Sequence, residues 1–201
     1  MTSLAPASRP LVLVDRVFPR SVVTNILLVL AGTGLVALCA QLIIPMVPVP
    51  ITMQTFAVLF VGTVLGPARG AVALALYLVL GVAGLPIFAG GTSGSILALP
   101  SGGYIVGFIA ASVVVGWFAK LTWDRHVLKT LLSFSIGSLV IYAFGVPWLA
   151  VSLGVDLWTA IQFGVVPFLI GDALKALLAA GLLPGTWKLL GEKRAEKKAS
   201  V

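Results

Sequence analysis

Charge and ligand chemistry are what this sequence has least of. Charged residues make up 9% of the chain, against about 25% in an ordinary soluble domain. Cys39 is the single cysteine, so no disulfide can close within the chain. His126 is the single histidine, and no His/Cys/carboxylate cluster has metal-site spacing. No GxxxxGKS/T phosphate loop occurs, so the chain is not expected to hydrolyse ATP by itself. No cofactor or metal is expected.

What fills the sequence instead is apolar. Hydrophobic residues reach 60%, above the roughly 45–50% of soluble domains, and this composition belongs to an integral membrane protein. Reading apolar runs of about 17–25 residues as transmembrane helices gives six, near 22–44, 53–65, 70–85, 103–121, 128–149 and 165–187. The second is short and follows the proline-rich segment PMVPVPITMQT. The expected fold is all-α, with a six-helix membrane domain over 22–188, a cytoplasmic segment over 1–21 and a basic cytoplasmic tail over 189–201. A lipoprotein signal ending at Cys39 would need a small residue where Leu38 stands. The first span is also too long for a signal-peptide core, so it is expected to stay as an anchor.

The basic residues set the topology. Arg9, Arg16 and Arg20 precede the first span, and Arg69 lies between the second and third. Lys120, Arg125 and Lys129 lie between the fourth and fifth, and Lys188, Lys193, Arg194, Lys197 and Lys198 follow the sixth. Twelve of the 13 basic residues therefore share one side, and the positive-inside rule puts both termini in the cytoplasm. The net charge of +7 thus suits a membrane face with anionic lipids rather than nucleic acid. Trp117, Trp123 and Trp187 fall at the inner boundary, and Trp148 and Trp158 at the outer one, as aromatic belts do. Gly62/Gly66 and Gly103/Gly107, the latter continued by Ala111, are GxxxG stripes expected to pack helices closely.

Irregular backbone at membrane depth survives only inside protein or against water. Two outer connections are of this kind. One is PMVPVPITMQT, ending in Thr52, Gln54 and Thr55; the other is the glycine-rich LPIFAGGTSGSILALPSGGY, with Ser93 and Tyr104. Its GTSG matches the GxSG of intramembrane serine proteases. That chemistry needs a histidine base beside the serine, and His126 lies in a loop on the opposite side.

Within the last span stand Asp172 and Lys175, the two formal charges of the membrane-embedded part. A charge at bilayer depth costs roughly 2.5–3.5 kcal/mol on insertion scales. At i and i+3 the two share a helix face. At about 1.5 Å per residue Asp172 lies roughly 24 Å from Lys188, in the outer half of the bilayer. A self-satisfied intrahelical ion pair would explain them structurally. A pair facing a cavity beside two polar loops is read instead as a small-molecule site. A carboxylate accepts paired N–H groups and an ammonium donates to a carbonyl oxygen. Cyclic urea, guanidinium and amide ligands all fit that description.

PVPITMQTFAVLFVGTVLGPARGAVALALYLVLGVAGLPIFAGG, then LPSGGYIVGF, then the GDxxK element ending in Asp172-Ala173-Leu174-Lys175, resembles the BioY family, the biotin-specific S components of energy-coupling-factor (ECF) transporters. The likeness runs from about Gln41 to Leu183. It implies a six-helix protein of the bacterial cytoplasmic membrane that binds biotin from outside. It also implies that Asp172 and Lys175 hold the biotin head group, with Gln54, Ser93 and Tyr104 near the ligand. The implied partners are a transmembrane coupling (T) subunit and ATP-binding subunits, a homo-oligomer in some assemblies, and membrane lipids. Two motifs depart from the family's pattern. Thr33 and Ala37 stand where an alanine pair serves docking to the coupling subunit, and Leu99-Pro100-Ser101-Gly102-Gly103-Tyr104 stands where GPTGGY is common. No outer arginine is present to meet the valerate carboxylate of biotin. The residues alone leave other readings open: an S component for another vitamin, or a membrane enzyme with Asp172 as general base. The enzyme reading lacks a nucleophile and a second acid–base group, and a structural scaffold would leave Lys175 unexplained.

Overall fold

Proline and glycine decide where the helices of this chain begin and end. The structure, a computed structural model, describes residues 12–199, with side chains as far as Gly191. Readings that rest on Arg9, or on the charged side chains from Glu192 onward, lie outside what is described. Among the described residues there are eight α-helices: α1 (Leu13–Val17), α2 (Val22–Cys39), α3 (Gln54–Leu65), α4 (Pro67–Val82), α5 (Gly102–Lys120), α6 (Val127–Leu153), α7 (Leu157–Gly164) and α8 (Leu169–Ala199). Ser21 starts α2 by accepting from the Thr24 amide at 3.0 Å, the usual N-cap device. Between α3 and α4 the turn is the single residue Gly66, at φ +84°, a left-handed conformation that favours glycine. Pro67 then opens α4 at a position where its missing N–H is no loss.

Four stretches are long and apolar enough to cross a membrane: α2, α5, α6, and the α7–α8 unit from Leu157 to Gly191. The helices α3 and α4 are shorter. With 12 residues, α3 is about 18 Å long. It lies inside the bundle, where Ala57, Val58, Leu59, Val61, Gly62, Thr63 and Leu65 are all buried. Around it pack α2, α4, α5 and α8, and α5 packs in turn on α4 and α6. The lipid-facing sides of α2, α6 and α8 carry exposed Val22, Leu27, Leu139, Ile170 and Leu174.

The glycine stripes are partly as expected. A Cβ on Gly62 would fall 2.6 Å from the Ser112 carbonyl oxygen, and one on Gly116 would fall 2.7 Å from that of Gly62. These two glycines let α3 and α5 touch backbone to backbone. Gly103 and Gly107 do the same for α5 on α6, against Phe144 and Ile141. Gly66 belongs to the turn rather than to a packing stripe.

The last expected span is two helices. The hydropathy starts it at 165, but α7 precedes it, a break over Val166–Phe168 contains Pro167, and α8 begins at Leu169. Proline cannot donate the backbone hydrogen bond that would join the two. From there α8 continues past Lys188 to Ala199. The proline-rich connection holds a short antiparallel hairpin, Ile43–Ile44 against Ile51–Thr52, with Ile43 opposite Thr52; its Val47–Pro48 peptide is cis. Thr33 is buried and donates to the Ala73 carbonyl at 2.9 Å. Its side chain thus faces α4 rather than the outer surface on which docking was expected.

Candidate functional site

Asp172 and Lys175 lie in the first turns of α8, where the break at Pro167 aims them into the bundle toward α3 and α6. The Lys175 ammonium is 3.3 Å from Asp172 Oδ1 and donates to Thr55 Oγ1 at 2.7 Å. Thr55, in the first turn of α3, also donates to Asp172 Oδ1 at 3.3 Å. On the other side the Tyr142 hydroxyl of α6 donates to Asp172 Oδ2 at 2.6 Å. Three helices therefore meet on one carboxylate. Both side chains of the ion pair are largely buried, Lys175 at 8% exposed and Asp172 at 12%.

Beside this cluster lies a small cavity of about 40 Å³, well short of the roughly 300–1,000 Å³ of small-molecule sites, so a ligand larger than water requires its walls to part. Lys175, Thr55, Gln54, Tyr104 and Tyr142 line it, with Phe108 and Phe168 as apolar walls. Asp172 is not on that wall. It borders a separate cleft between α6 and α8, with Ser135 and Ser138, and meets the cavity through Lys175, Thr55 and Tyr142. Lysine has three N–H donors; Asp172 and Thr55 take two, which leaves one for a ligand. The Asp172 carboxylate has about four lone-pair sites and accepts three hydrogen bonds.

Gln54 is buried in a second polar chain. Its Nε2 donates to the Tyr77 hydroxyl at 2.5 Å, that hydroxyl donates to the Ile87 carbonyl at 3.0 Å, and Thr52 donates to Gln54 Oε1 at 3.3 Å. This chain ties the hairpin, α3, α4 and the glycine-rich loop together. Tyr104 lines the cavity with its ring, which is held against Gly145 and Gly164, and its hydroxyl donates to the Gly164 carbonyl at 2.9 Å. That hydroxyl is already used, so the ring is the face a ligand would meet.

The glycine-rich loop closes over the cavity through Ala89 and Ser101. It is fastened at both ends. Gln41 Nε2 reaches the Ile87 and Phe88 carbonyls at 3.4 and 3.2 Å, and Trp148 Nε1 reaches the Leu99 carbonyl at 3.0 Å. Between these points Gly90, Gly91 and Gly94 have positive φ. Ser93 is in this stretch, exposed, and does not line the cavity. Of the five residues singled out in the sequence, Lys175, Gln54 and Tyr104 line the cavity, Asp172 backs it and Ser93 stands apart. The sequence reading missed Tyr142 and the bridging role of Thr55. A tyrosine midway along an apolar helix was the available signal, because a buried hydroxyl needs a partner.

The sequence model of the BioY family matches residues 9–192. The chain belongs to the BioY family. It is 35% identical to the biotin transporter BioY2 of Lactococcus lactis over 160 residues, covering 77% of this chain and 85% of that one. The biotin transporter BioY of Thermotoga maritima is 38% identical over 150 residues, 74% of this chain and 86% of its own. Among solved structures, the crystal structure of the S-component for biotin from an ECF-type ABC transporter superposes with a TM-score of 0.73 at 27% identity. It covers 83% of this chain and 92% of that one. The BioY family accounts for the all-helical architecture with several apolar helices.

Proposed function

We propose that this chain is the substrate-binding S component of a biotin uptake system, a transport subunit rather than an enzyme. Biotin would lie between α3, α5, α6 and α8, in the cavity widened by the parting of its walls. The observation that carries this reading is the cluster of Lys175, Thr55, Tyr142 and Asp172 beside that cavity, in a chain of the BioY family. The ureido ring of biotin offers a C=O to the remaining Lys175 N–H and N–H groups to the remaining lone pair of Asp172, once Thr55 or Tyr142 gives way. Gln54 and the Tyr104 ring would flank the ring system. Ser93 would act within the covering loop.

In this proposal six spans cross the bacterial cytoplasmic membrane, α7 and α8 together forming the last, with both termini and the tail from 189 in the cytoplasm. The loop-covered end then faces outside. A coupling subunit and ATP-binding subunits would supply the energy, and a homo-oligomer is a further assembly to look for.

The direct measurement is radiolabelled biotin binding by purified wild type, Asp172→Asn and Lys175→Ala. Truncating one member of a buried, hydrogen-bonded charge pair costs about 2–5 kcal/mol, a loss of about 30-fold or more in affinity. Wild-type affinity in both variants would remove the site assignment. Absence of saturable, biotin-competed binding by wild type would remove the biotin assignment and leave the cavity to another small heterocycle.

A further inference from the structure

A second built feature lies at the opposite end of the bundle, where α5 ends in Lys120 and α4 begins. An open cleft of about 540 Å³ is lined by Asp15, Arg20, Asn25, Arg69 and Lys120, among others. Three cations there face one acid. Asp15 accepts from Arg20 at 2.9 Å and from Arg69 at 2.8 Å. The Arg69 guanidinium is held further by the Leu65 carbonyl at 2.9 Å and Asn25 Oδ1 at 3.2 Å, so its planar fork is fixed before any ligand arrives. Lys120 is exposed and makes no ion pair among the described residues. Two positive charges are therefore left over inside one cleft.

This cleft does not end at its polar part. Asn25, Ala68 and Arg69 also line an open groove of about 360 Å³, whose other walls are Ile26, Val29 and Leu30 of α2 and Val72 and Leu76 of α4. The two spaces share those three residues and so run into each other. From Ala68 to Leu76 the groove follows α4 for about 12 Å along the helix axis. A cationic pocket opening into an apolar channel of that length matches one class of ligand, a phosphate joined to an acyl chain.

We propose that this surface binds one molecule of an anionic phospholipid. The phosphate sits between Lys120, Arg20 and Arg69, and one acyl chain lies in the α2–α4 groove. Arginine forks and a lysine ammonium are the natural partners of phosphate oxygens, and basic groups near a membrane surface favour anionic headgroups. A free phosphate would leave the groove unused, and a zwitterionic lipid would bring no net charge to the cleft. The proposal requires only that the chain lies in a bilayer, and is independent of what the other cavity holds.

The test is native mass spectrometry of the full chain in neutral detergent, titrated with dioleoyl phosphatidylglycerol or dioleoyl phosphatidylcholine. Phosphatidylglycerol should bind about 25-fold more tightly than phosphatidylcholine, at about fivefold for each of the two uncompensated basic residues. Lys120→Gln, at an exposed position where folding is not in question, should weaken phosphatidylglycerol about fivefold, and Arg20→Gln should act similarly. Val72→Trp, which fills the groove, should weaken both lipids. Biotin binding should be unchanged in all three variants. Equal binding of the two lipids, or phosphatidylglycerol binding indifferent to Lys120→Gln and Val72→Trp, overturns the proposal. Displacement of the lipid by millimolar inorganic phosphate overturns it in favour of a free-anion site. Retained lipid together with lost co-purification of partner subunits in those variants overturns it in favour of a protein interface.

Discussion

Asp172 and Asp124 are both buried acids that connect α8 to the rest of the bundle, yet they are built differently. Asp172 meets a cation and two hydroxyls from α3 and α6, and its cluster borders a cavity. Asp124, in the turn between α5 and α6, accepts one bond from Trp187 Nε1 at 2.6 Å, and its Oδ1 has no hydrogen-bond partner among the described residues. Arg125 covers the Trp187 ring, 4.1 Å from its centroid. Burial pushes the Asp124 carboxyl above the ordinary carboxylate range, against the Trp187 hydrogen bond and the nearby Arg125 charge. A buried acid is therefore not by itself the mark of a site. The cation, the bridging hydroxyls and the adjoining space distinguish Asp172, whereas Asp124 serves as a latch for α8.

The comparison can be broken most forcefully at Lys175. Lys175→Met strands a buried carboxylate and should cost about 3–5 kcal/mol of stability as well as ligand affinity. The double variant Asp172→Asn/Lys175→Met should recover most of the stability and none of the affinity. Thermal unfolding and biotin binding, measured side by side, separate the two losses. Next comes Tyr142→Phe. Removing a hydrogen bond to a charged group should cost about 1.5–3 kcal/mol, visible in both measurements.

At the latch, Asp124→Ala should cost about 1–3 kcal/mol by leaving the Trp187 N–H unpaired, with biotin affinity unchanged. Asp124→Asn keeps an acceptor and removes a buried charge. Because the folded carboxyl titrates above its unfolded value of 3.8, wild-type stability falls as pH rises through that window. The Asn variant should therefore gain on wild type between acid and neutral pH, a shift read by melting curves at several pH values. The smallest effect belongs to Asp15. Burial opposes its ionisation, but hydrogen bonds and charge from Arg20 and Arg69 hold its carboxyl below 3.8. Its contribution is complete above 3.8 and fades as pH falls through the depressed value. Limited proteolysis near α1 should stay at its neutral-pH rate down to about pH 4.

What the sequence revealed follows from how conspicuous each signal is. Two charges in an apolar run stand out, so Asp172 and Lys175 were legible as a pair on one helix face, and the proline-rich and glycine-rich connections as walls of a cavity. Hydroxyls do not stand out, since Thr55 and Tyr142 differ little from the many small polar residues that membrane helices tolerate. Ser93 was chosen for its place in a glycine-rich loop, but loop pattern carries no facing information, and its neighbours Ala89 and Ser101 face the cavity instead. The break at Pro167 was hidden by continuous hydrophobicity on both sides, whereas the turn at Gly66 was legible as the gap between the spans at 53–65 and 70–85. Hydropathy records what lies in the bilayer, and backbone geometry decides where a helix stops.

The glycine-rich crossing is clamped at both footings, at Ile87 and Phe88 on one side and Leu99 on the other. The stretch between is tied as well, by the Gly94 N–H to the Gly81 carbonyl at 2.8 Å, so the crossing is sewn along its length and the loss of one stitch leaves the others in place.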